Sequence, residues 1–444
     1  MIEVLDRSNG VSLYEQIYDS IKNDILTGKM KHADKLPSKR SMAEKLRVSL
    51  ITVENAYAQL IAEGYVRTAE RSGYYVNYSG GSVQLPQKQP QKRIAQPQIP
   101  ESAVSDSLFP FSVWTRLMRS VILEKGTLLL KPVSPNGAEE LRIAISDYLY
   151  RARGVCASPE QIIIGAGTDY LYNLLIQLLG RERCFAVENP GYDKLSKIYE
   201  LNRVNSVSIP LDEQGMSCEL LKESGADIAH ISPAHHFPTG IIMPISRRSE
   251  LMKWAEQGSR CIIEDDYDSE FRWSGKPVPT MFGMDTLEKV IYVNTFSVTI
   301  APSVRISYMV LPEKLAGQWR DRLGFYSCPV PAFEQYTLAR FISGGYFERH
   351  INRMKKHFRM IREQVLFLAE RLGGTDIREE NAGLHFLMKA ESGTISALEG
   401  CGVVIRPLCD YYSDKMSGLG SYVVSYSAAD DEKLQALIKQ NSRS

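Results

Sequence analysis

Apolar residues recur at every fourth position along Leu13, Ile17, Ile21 and Ile25. This is the spacing of one buried helical face, and the run stops at Gly28. A second helix is predicted from Leu36-Pro37-Ser38, with Ser38 as its N-cap and Met42, Ala43 and Leu46 as its buried side. A short turn at Arg47-Val48 leads to a third helix from Ser49, with Val53, Ala56, Tyr57, Leu60 and Ile61 inward and Gly64 ending it. The period then shortens to two. Tyr65-Val-Arg-Thr-Ala and Gly73-Tyr-Tyr-Val predict a hairpin around Glu70-Arg71-Ser72. Helix, helix–turn–helix and β-wing make a winged helix-turn-helix.

Beyond the hairpin the apolar pattern lapses. Residues 79–105 are rich in Pro and Gln with few apolar anchors, and predict an exposed linker. A loop of that length inside one domain is uncommon, so the chain divides into a small module (1–78) and a large one (106–444). In the large module short apolar runs alternate with helical segments. Gln161-Ile-Ile-Ile-Gly, Cys184-Phe-Ala-Val-Glu, Ala226-Asp-Ile-Ala-His-Ile, Arg260-Cys-Ile-Ile-Glu-Asp and Val290-Ile-Tyr-Val read as buried strands. They predict an α/β domain with a mostly parallel sheet covered on both faces, whose ligands gather at the strand carboxyl ends.

Composition adds little but excludes much. The 444 residues carry 44% apolar and 24% charged side chains and a net charge of +1, the balance of a soluble multidomain protein. No apolar run approaches a membrane span, and Met1-Ile-Glu-Val-Leu-Asp lacks the pattern of a signal peptide. Seven scattered cysteines form no Cys-x-x-Cys pair. A cytoplasmic setting without disulfides or structural zinc is expected. His235 and His236 are adjacent, but neighbours on an extended strand point apart, so no metal site is expected from them.

The small module, through Leu36-Pro-Ser-Lys-Arg40, Ala43-Glu-Lys-Leu, Ser49 and Thr52-Val53-Glu-Asn-Ala-Tyr, resembles the GntR family of bacterial regulators over residues 11–76. The resemblance implies binding to a double-stranded DNA operator. The third helix is the one that can enter a major groove, with Ser49 and Thr52 near phosphates or base edges. Ser38, Lys39 and Arg40 open the second helix, where phosphate is favoured, and Arg67 and Arg71 lie in the wing. Family members usually carry Arg after the recognition-helix serine; Leu50 stands there in this chain. The module holds eleven Lys/Arg against ten Asp/Glu in residues 1–76, so a helical protein-interaction module is the alternative.

Five segments of the large module carry candidate chemistry. Gly165-Ala-Gly-Thr-Asp169 is a Gly-rich strand-to-helix turn that can offer N–H groups to a phosphate. Asn189-Pro-Gly-Tyr192, Ser232-Pro-Ala-His-His-Phe-Pro-Thr-Gly240, Glu264-Asp-Asp-Tyr-Asp-Ser-Glu270 and Asn294-Thr-Phe-Ser-Val-Thr-Ile-Ala-Pro-Ser-Val-Arg305 follow later strands. Together they resemble the fold-type I aminotransferases, which use pyridoxal phosphate. Combined with a winged helix, the chain is identified as a member of the MocR-type branch of the GntR regulators. The resemblance assigns Gly167, Thr168, Asp169, Thr295, Ser297 and Arg305 to the cofactor phosphate. For Asp169, the backbone N–H is the expected contact rather than the side chain. Tyr192 falls on the pyridine face, Asp265 on its nitrogen and Tyr267 on its O3′ edge.

Two departures change the expected function. Val298 occupies the place of the lysine that forms the Schiff base, and an isopropyl group can neither form an imine nor carry a proton. The strand that carries the substrate-carboxylate Arg in these enzymes reads Ser421-Tyr-Val-Val-Ser-Tyr426, with Val423 nearest and Arg406 on the preceding strand as a stand-in. The expectation is therefore a homodimeric regulator with no catalytic residue, sensing an amino-acid or pyridoxal-phosphate-related effector, with the cofactor at most non-covalently bound. A bifunctional aminotransferase and a purely structural large domain are the alternatives.

Overall fold

The computed structural model describes residues 10–69, 72–79, 108–275, 278–378 and 381–441. Two compact units emerge, Met1–Gln98 and Ile99–Ser444. The expected linker falls, apart from Ser79, outside the described residues, as does Arg71.

The first unit runs α1 (Leu13–Leu26), β1 (Lys35–Leu36), α2 (Lys39–Leu46), α3 (Leu50–Ala62), β2 (Val66–Ala69) and β3 (Gly73–Val76). Local chemistry sets the ends of α2 and α3. The Ser38 hydroxyl accepts from the Ser41 amide at 3.1 Å, and the Ser49 hydroxyl from the Thr52 amide at 3.2 Å. Arg47, left-handed at φ 53°, closes α2. The apolar stripe predicted for α3 packs inward, with Val53, Ala56, Tyr57 and Leu60 fully buried against Ile17, Ile21 and Ile25 of α1. Leu36, expected at the head of the second helix, lies instead in β1. This short strand pairs with β3 as a third strand of the wing. Two residues are too few for a periodic signal.

The second unit opens with α4 (Phe111–Lys125) and α5 (Glu139–Arg153). Then come β4 (Ile162–Gly165), α6 (Thr168–Leu179), β5 (Cys184–Asn189), α7 (Asp193–Leu201), β6 (Asn205–Asp212), β7 (Gly215–Met216), β8 (Ile228–Ile231), β9 (Cys261–Asp265), β10 (Val290–Thr295) and β11 (Ser307–Val310). These eight strands form one sheet in the order β4-β11-β10-β9-β8-β5-β6-β7. Pairs among β10, β9, β8, β5 and β6 are parallel, while β11 runs antiparallel between β4 and β10. All five strands predicted from apolar runs are in it. The other three are β6, which mixes polar with apolar residues and is largely exposed, β7, which is two residues long, and β11, a four-residue buried strand.

Alternation sends neighbouring side chains into different layers. Ile163, Ile291, Val293 and Met309 pack under α6, whereas Ile162, Ile164, Tyr292 and Tyr308 pack under α5 and the helix Ala332–Ser343. The sheet is thus covered on both faces. A second, antiparallel sheet follows: β12 (Thr375–Arg378), β13 (His385–Lys389), β14 (Val404–Pro407) and β15 (Ser421–Ser425), in the order β12-β13-β15-β14. It packs on the long helix Tyr346–Arg371 through Phe386, Val424, Phe358 and Ile361. Among the described residues no helix is long and apolar enough to cross a membrane.

Candidate functional site

The carboxyl ends of β4, β5, β8, β9 and β10 gather the chemistry. After β4 the chain turns at Gly167 (φ 92°) into α6, whose first turn has no side-chain cap, so free N–H groups and the positive helix end face outward. A Cβ at Gly167 would lie 2.5 Å from Arg305 Nη2. Only glycine allows both that φ and that approach. The turn after β10 thereby brings Arg305, itself left-handed at φ 49°, over the start of α6. Arg305 Nη2 lies 3.5 Å from Asp169 Oδ2, and Lys194 Nζ pairs with the same oxygen. The Asp169 side chain is committed to these cations, which leaves its backbone N–H as the group that could serve a phosphate.

Asp265 ends β9 with its carboxylate buried. Oδ2 accepts from Tyr172 of α6 and lies 3.8 Å from His230 Nε2 of β8, while Oδ1 is buried with no hydrogen-bond partner. Such an orphan oxygen is rare. It suits an N–H donor that enters from outside. Burial beside Asp265 pushes the Tyr172 phenol well up, so it stays a donor. Tyr172 was not among the predicted residues, although it lies four positions after Thr168, one helical turn along the same face. Tyr267 donates or accepts at 3.2 Å with His235 Nδ1. Tyr192, 41% exposed, heads α7 and meets Phe237 edge-on at 6.2 Å.

The turn after β10 is closed from within. Thr295 Oγ1 accepts from the Ser307 hydroxyl at 2.8 Å and the Ser297 amide at 3.1 Å, while Ser297 Oγ is buried and unpartnered. Ser297 is therefore the freer hydroxyl of the two. Val298 packs in the same turn against the apolar cluster of Phe271, Trp273, Phe386 and Tyr426. Asp265 is bonded by Tyr172, and Tyr267 by His235; neither partner is a lysine.

Near Asp265 lies a buried neutral pair. His236 Nε2 is 3.5 Å from Glu188 Oε2, but burial lifts the Glu188 carboxyl to about 8 and lowers the His236 imidazole to about 3. At neutral pH the contact is between uncharged groups.

In the first unit Arg40, Ser49 and Arg67 are exposed. Lys39, expected to face a phosphate, is instead tied to Glu54 at 3.0 Å and stands over the Tyr74 ring. The Thr52 hydroxyl is 2.7 Å from that of Ser49. Leu50 and Ile51 are 40% and 67% exposed at the start of α3.

Residues 13–76 match the family model "Bacterial regulatory proteins, gntR family". The HTH-type transcriptional regulator YdeL of Bacillus subtilis is 39% identical over 91% of this chain and 90% of its own length. The probable rhizopine catabolism regulatory protein MocR of Rhizobium meliloti is 30% identical, over 97% of this chain and 93% of its own. The chain belongs to the MocR-type GntR regulators. An archaeal alanine:glyoxylate aminotransferase superposes on this regulator with a TM-score of 0.67, covering 76% of the chain and 88% of the enzyme at 23% identity. That likeness fixes the fold of the large unit as aminotransferase-like. The regulator is thus a DNA-binding winged helix joined to an aminotransferase-like unit.

Proposed function

We propose that the regulator's aminotransferase-like unit binds a phosphopyridoxyl or amino-acid-type effector without covalent attachment and without transamination. One observation supports this reading. Asp265 Oδ1 and Ser297 Oγ are buried and unpartnered, and Gly167 leaves room beside Arg305, yet position 298 is valine.

The residues fit pyridoxal phosphate as a ligand. Asp265 would hold the pyridine N–H, Tyr192 the ring face and Tyr267 the O3′ edge. Gly167, Thr168, Asp169 through its backbone, Thr295, Ser297 and Arg305 would hold the phosphate. When bound, the cofactor supplies an electron-withdrawing ring that stabilises negative charge beside it. Val298 cannot move a proton at that carbon, and loss of a general base alone costs on the order of 10²–10⁴ in rate. Lys194 is no substitute, since its amine is held at Asp169 rather than beside Asp265 or Tyr267.

Exposed Leu123 and Leu130 on the second unit support a homodimer, and a two-fold dimer would read paired half-sites on an operator in the cytoplasm. Arg40, Ser49, Thr52, Arg67 and Arg71 are the residues we assign to the DNA, with the division at 1–78, 79–105 and 106–444.

Calorimetry of the full chain with pyridoxal phosphate, followed by borohydride and mass spectrometry, tests the reading. Binding heat without a pyridoxyl adduct is expected. An adduct on a lysine would make the chain a bifunctional aminotransferase, and absence of heat with pyridoxal phosphate and its amino-acid imines would leave the large unit structural.

A further inference from the structure

We propose that His235, His385 and Asp268 form a binding site for a first-row divalent cation, with Zn²⁺ the best match. The three come from separate places: the loop after β8, the first residue of β13 and the loop after β9. One ligand atom from each lies within 4.8 Å of the other two. All three are buried, at 2%, 4% and 3% exposure.

The ring nitrogens make the case. His235 Nε2 and His385 Nε2 are both buried without any hydrogen-bond partner. An orphan buried nitrogen costs free energy; a cation beside Asp268 would take His235 through Nδ1, the nitrogen that faces Asp268, and would accept the lone pair of the His385 ring. The rings lie with centroids 4.5 Å apart, and His235 Nδ1 is 2.9 Å from Asp268 Oδ2. A tetrahedral ion with nitrogen and oxygen ligands at roughly 2.0–2.1 Å separates its ligand atoms by about 3.3 Å. Side-chain rotation of an ångström or so therefore converts the present cluster into a first shell. Two imidazoles and one carboxylate, with a fourth position for water, suit Zn²⁺ among the common cations.

The surrounding backbone shapes the site. Gly383, left-handed at φ 67°, presses so close that a Cβ there would come within 1.8 Å of His235 Cε1. A small cleft lined by Arg153, Ala234, Ser269, Arg272 and Ala382 borders His235 and Asp268. The adjacent histidine takes no part: His236 Nδ1 turns to Thr239 at 2.7 Å. The expectation of no metal considered the His235–His236 pair, whereas the third ligand arrives from β13, 150 residues downstream. A bound ion would clamp the antiparallel sheet to the loops of the large sheet. Because Tyr267 is 3.2 Å from His235 Nδ1, the clamp would also fix a wall of the effector pocket.

The test uses the full chain, stripped with chelator, dialysed and titrated with Zn²⁺ by calorimetry and with Co²⁺ by visible absorption. Expected are about one ion per chain, a tetrahedral Co²⁺ spectrum and a raised melting temperature. His385→Gln and Asp268→Asn should each weaken binding by at least about 10–100-fold, while His32→Ala on the other unit leaves it unchanged. Should His385→Gln fail to fold, His235→Gln and the Co²⁺ spectrum of Asp268→Asn decide instead. Zn²⁺ uptake no greater than that of buffer blanks, or uptake unchanged in these variants, overturns the proposal.

Discussion

Arg406 of β14 stands directly across the strand pair from Val423 of β15. Cross-strand partners project to the same face, so the guanidinium shares a face with the valine that stands where aminotransferases carry an arginine. Val423 is 1% exposed beneath Phe237 and Tyr411, while Arg406 is on the rim. We propose that Arg406 takes the place of that arginine toward the carboxylate of a bound ligand. Arg406→Ala should lower the affinity for a phosphopyridoxyl–amino acid adduct by roughly 10-fold or more, the size of a charge-assisted hydrogen bond. Affinity for pyridoxal phosphate alone should not change. Calorimetry with both ligands checks this, and equal losses would refute it.

Val298→Lys restores an amine in the turn after β10. If the rest of the pocket binds the cofactor, this variant should yield a borohydride-trapped pyridoxyl adduct at position 298, and the parent should not. Peptide mapping decides.

Gly167→Ala places a methyl against Arg305 at a φ of 92°. Strain of this kind costs about 1–3 kcal/mol. The variant should melt several degrees lower and lose affinity for inorganic phosphate and pyridoxal phosphate together, as differential scanning and calorimetry would register. Unchanged phosphate binding would remove Gly167 from the site.

Glu188 gives a pH signature. Burial raises its carboxyl to about 8 from an ordinary 4.5, so folding favours the protonated form. Its contribution is fully present below about pH 4.5 and is lost as pH rises through about 8. Glu188→Gln keeps an oxygen to accept from the Ser232 amide, as Glu188 does at 2.9 Å, but cannot ionise. The variant's melting temperature should gain on the parent's steadily from pH 5 to pH 8. A constant offset across that range would contradict the assignment.

Arg40 and Arg67 are exposed on the first unit. If they contact phosphates, replacing either by Ala should weaken binding to every duplex alike and reduce the salt dependence by about one counterion. Lys39→Ala should do less, because Glu54 already holds that amine. Mobility shifts at several salt concentrations separate the two cases.

Much of this protein is written locally. Four-residue spacing placed the helices of the first unit, and serines 38 and 49 fixed two helix starts, because caps and periodicity act within one or two turns. Apolar runs marked five strands of the large sheet, and the resemblance of short motifs identified Asp265, Tyr267 and Arg305 as candidates. That Val298 itself can form no imine is read from the sequence alone.

The partnerships needed the tertiary structure. Tyr172 and Asp265 are 93 positions apart, His235 sits in the loop after β8 while His385 opens β13 of the second sheet, and Arg406 meets Val423 only through strand register. Lys39 had the right place for a phosphate contact but found Glu54 on the next helix. Such pairings depend on strand order and on which loops share one end of the sheet, as when antiparallel β11 slots between β4 and β10. Periodicity along the chain encodes which face of an element is buried; it carries no term for which distant element will cover it.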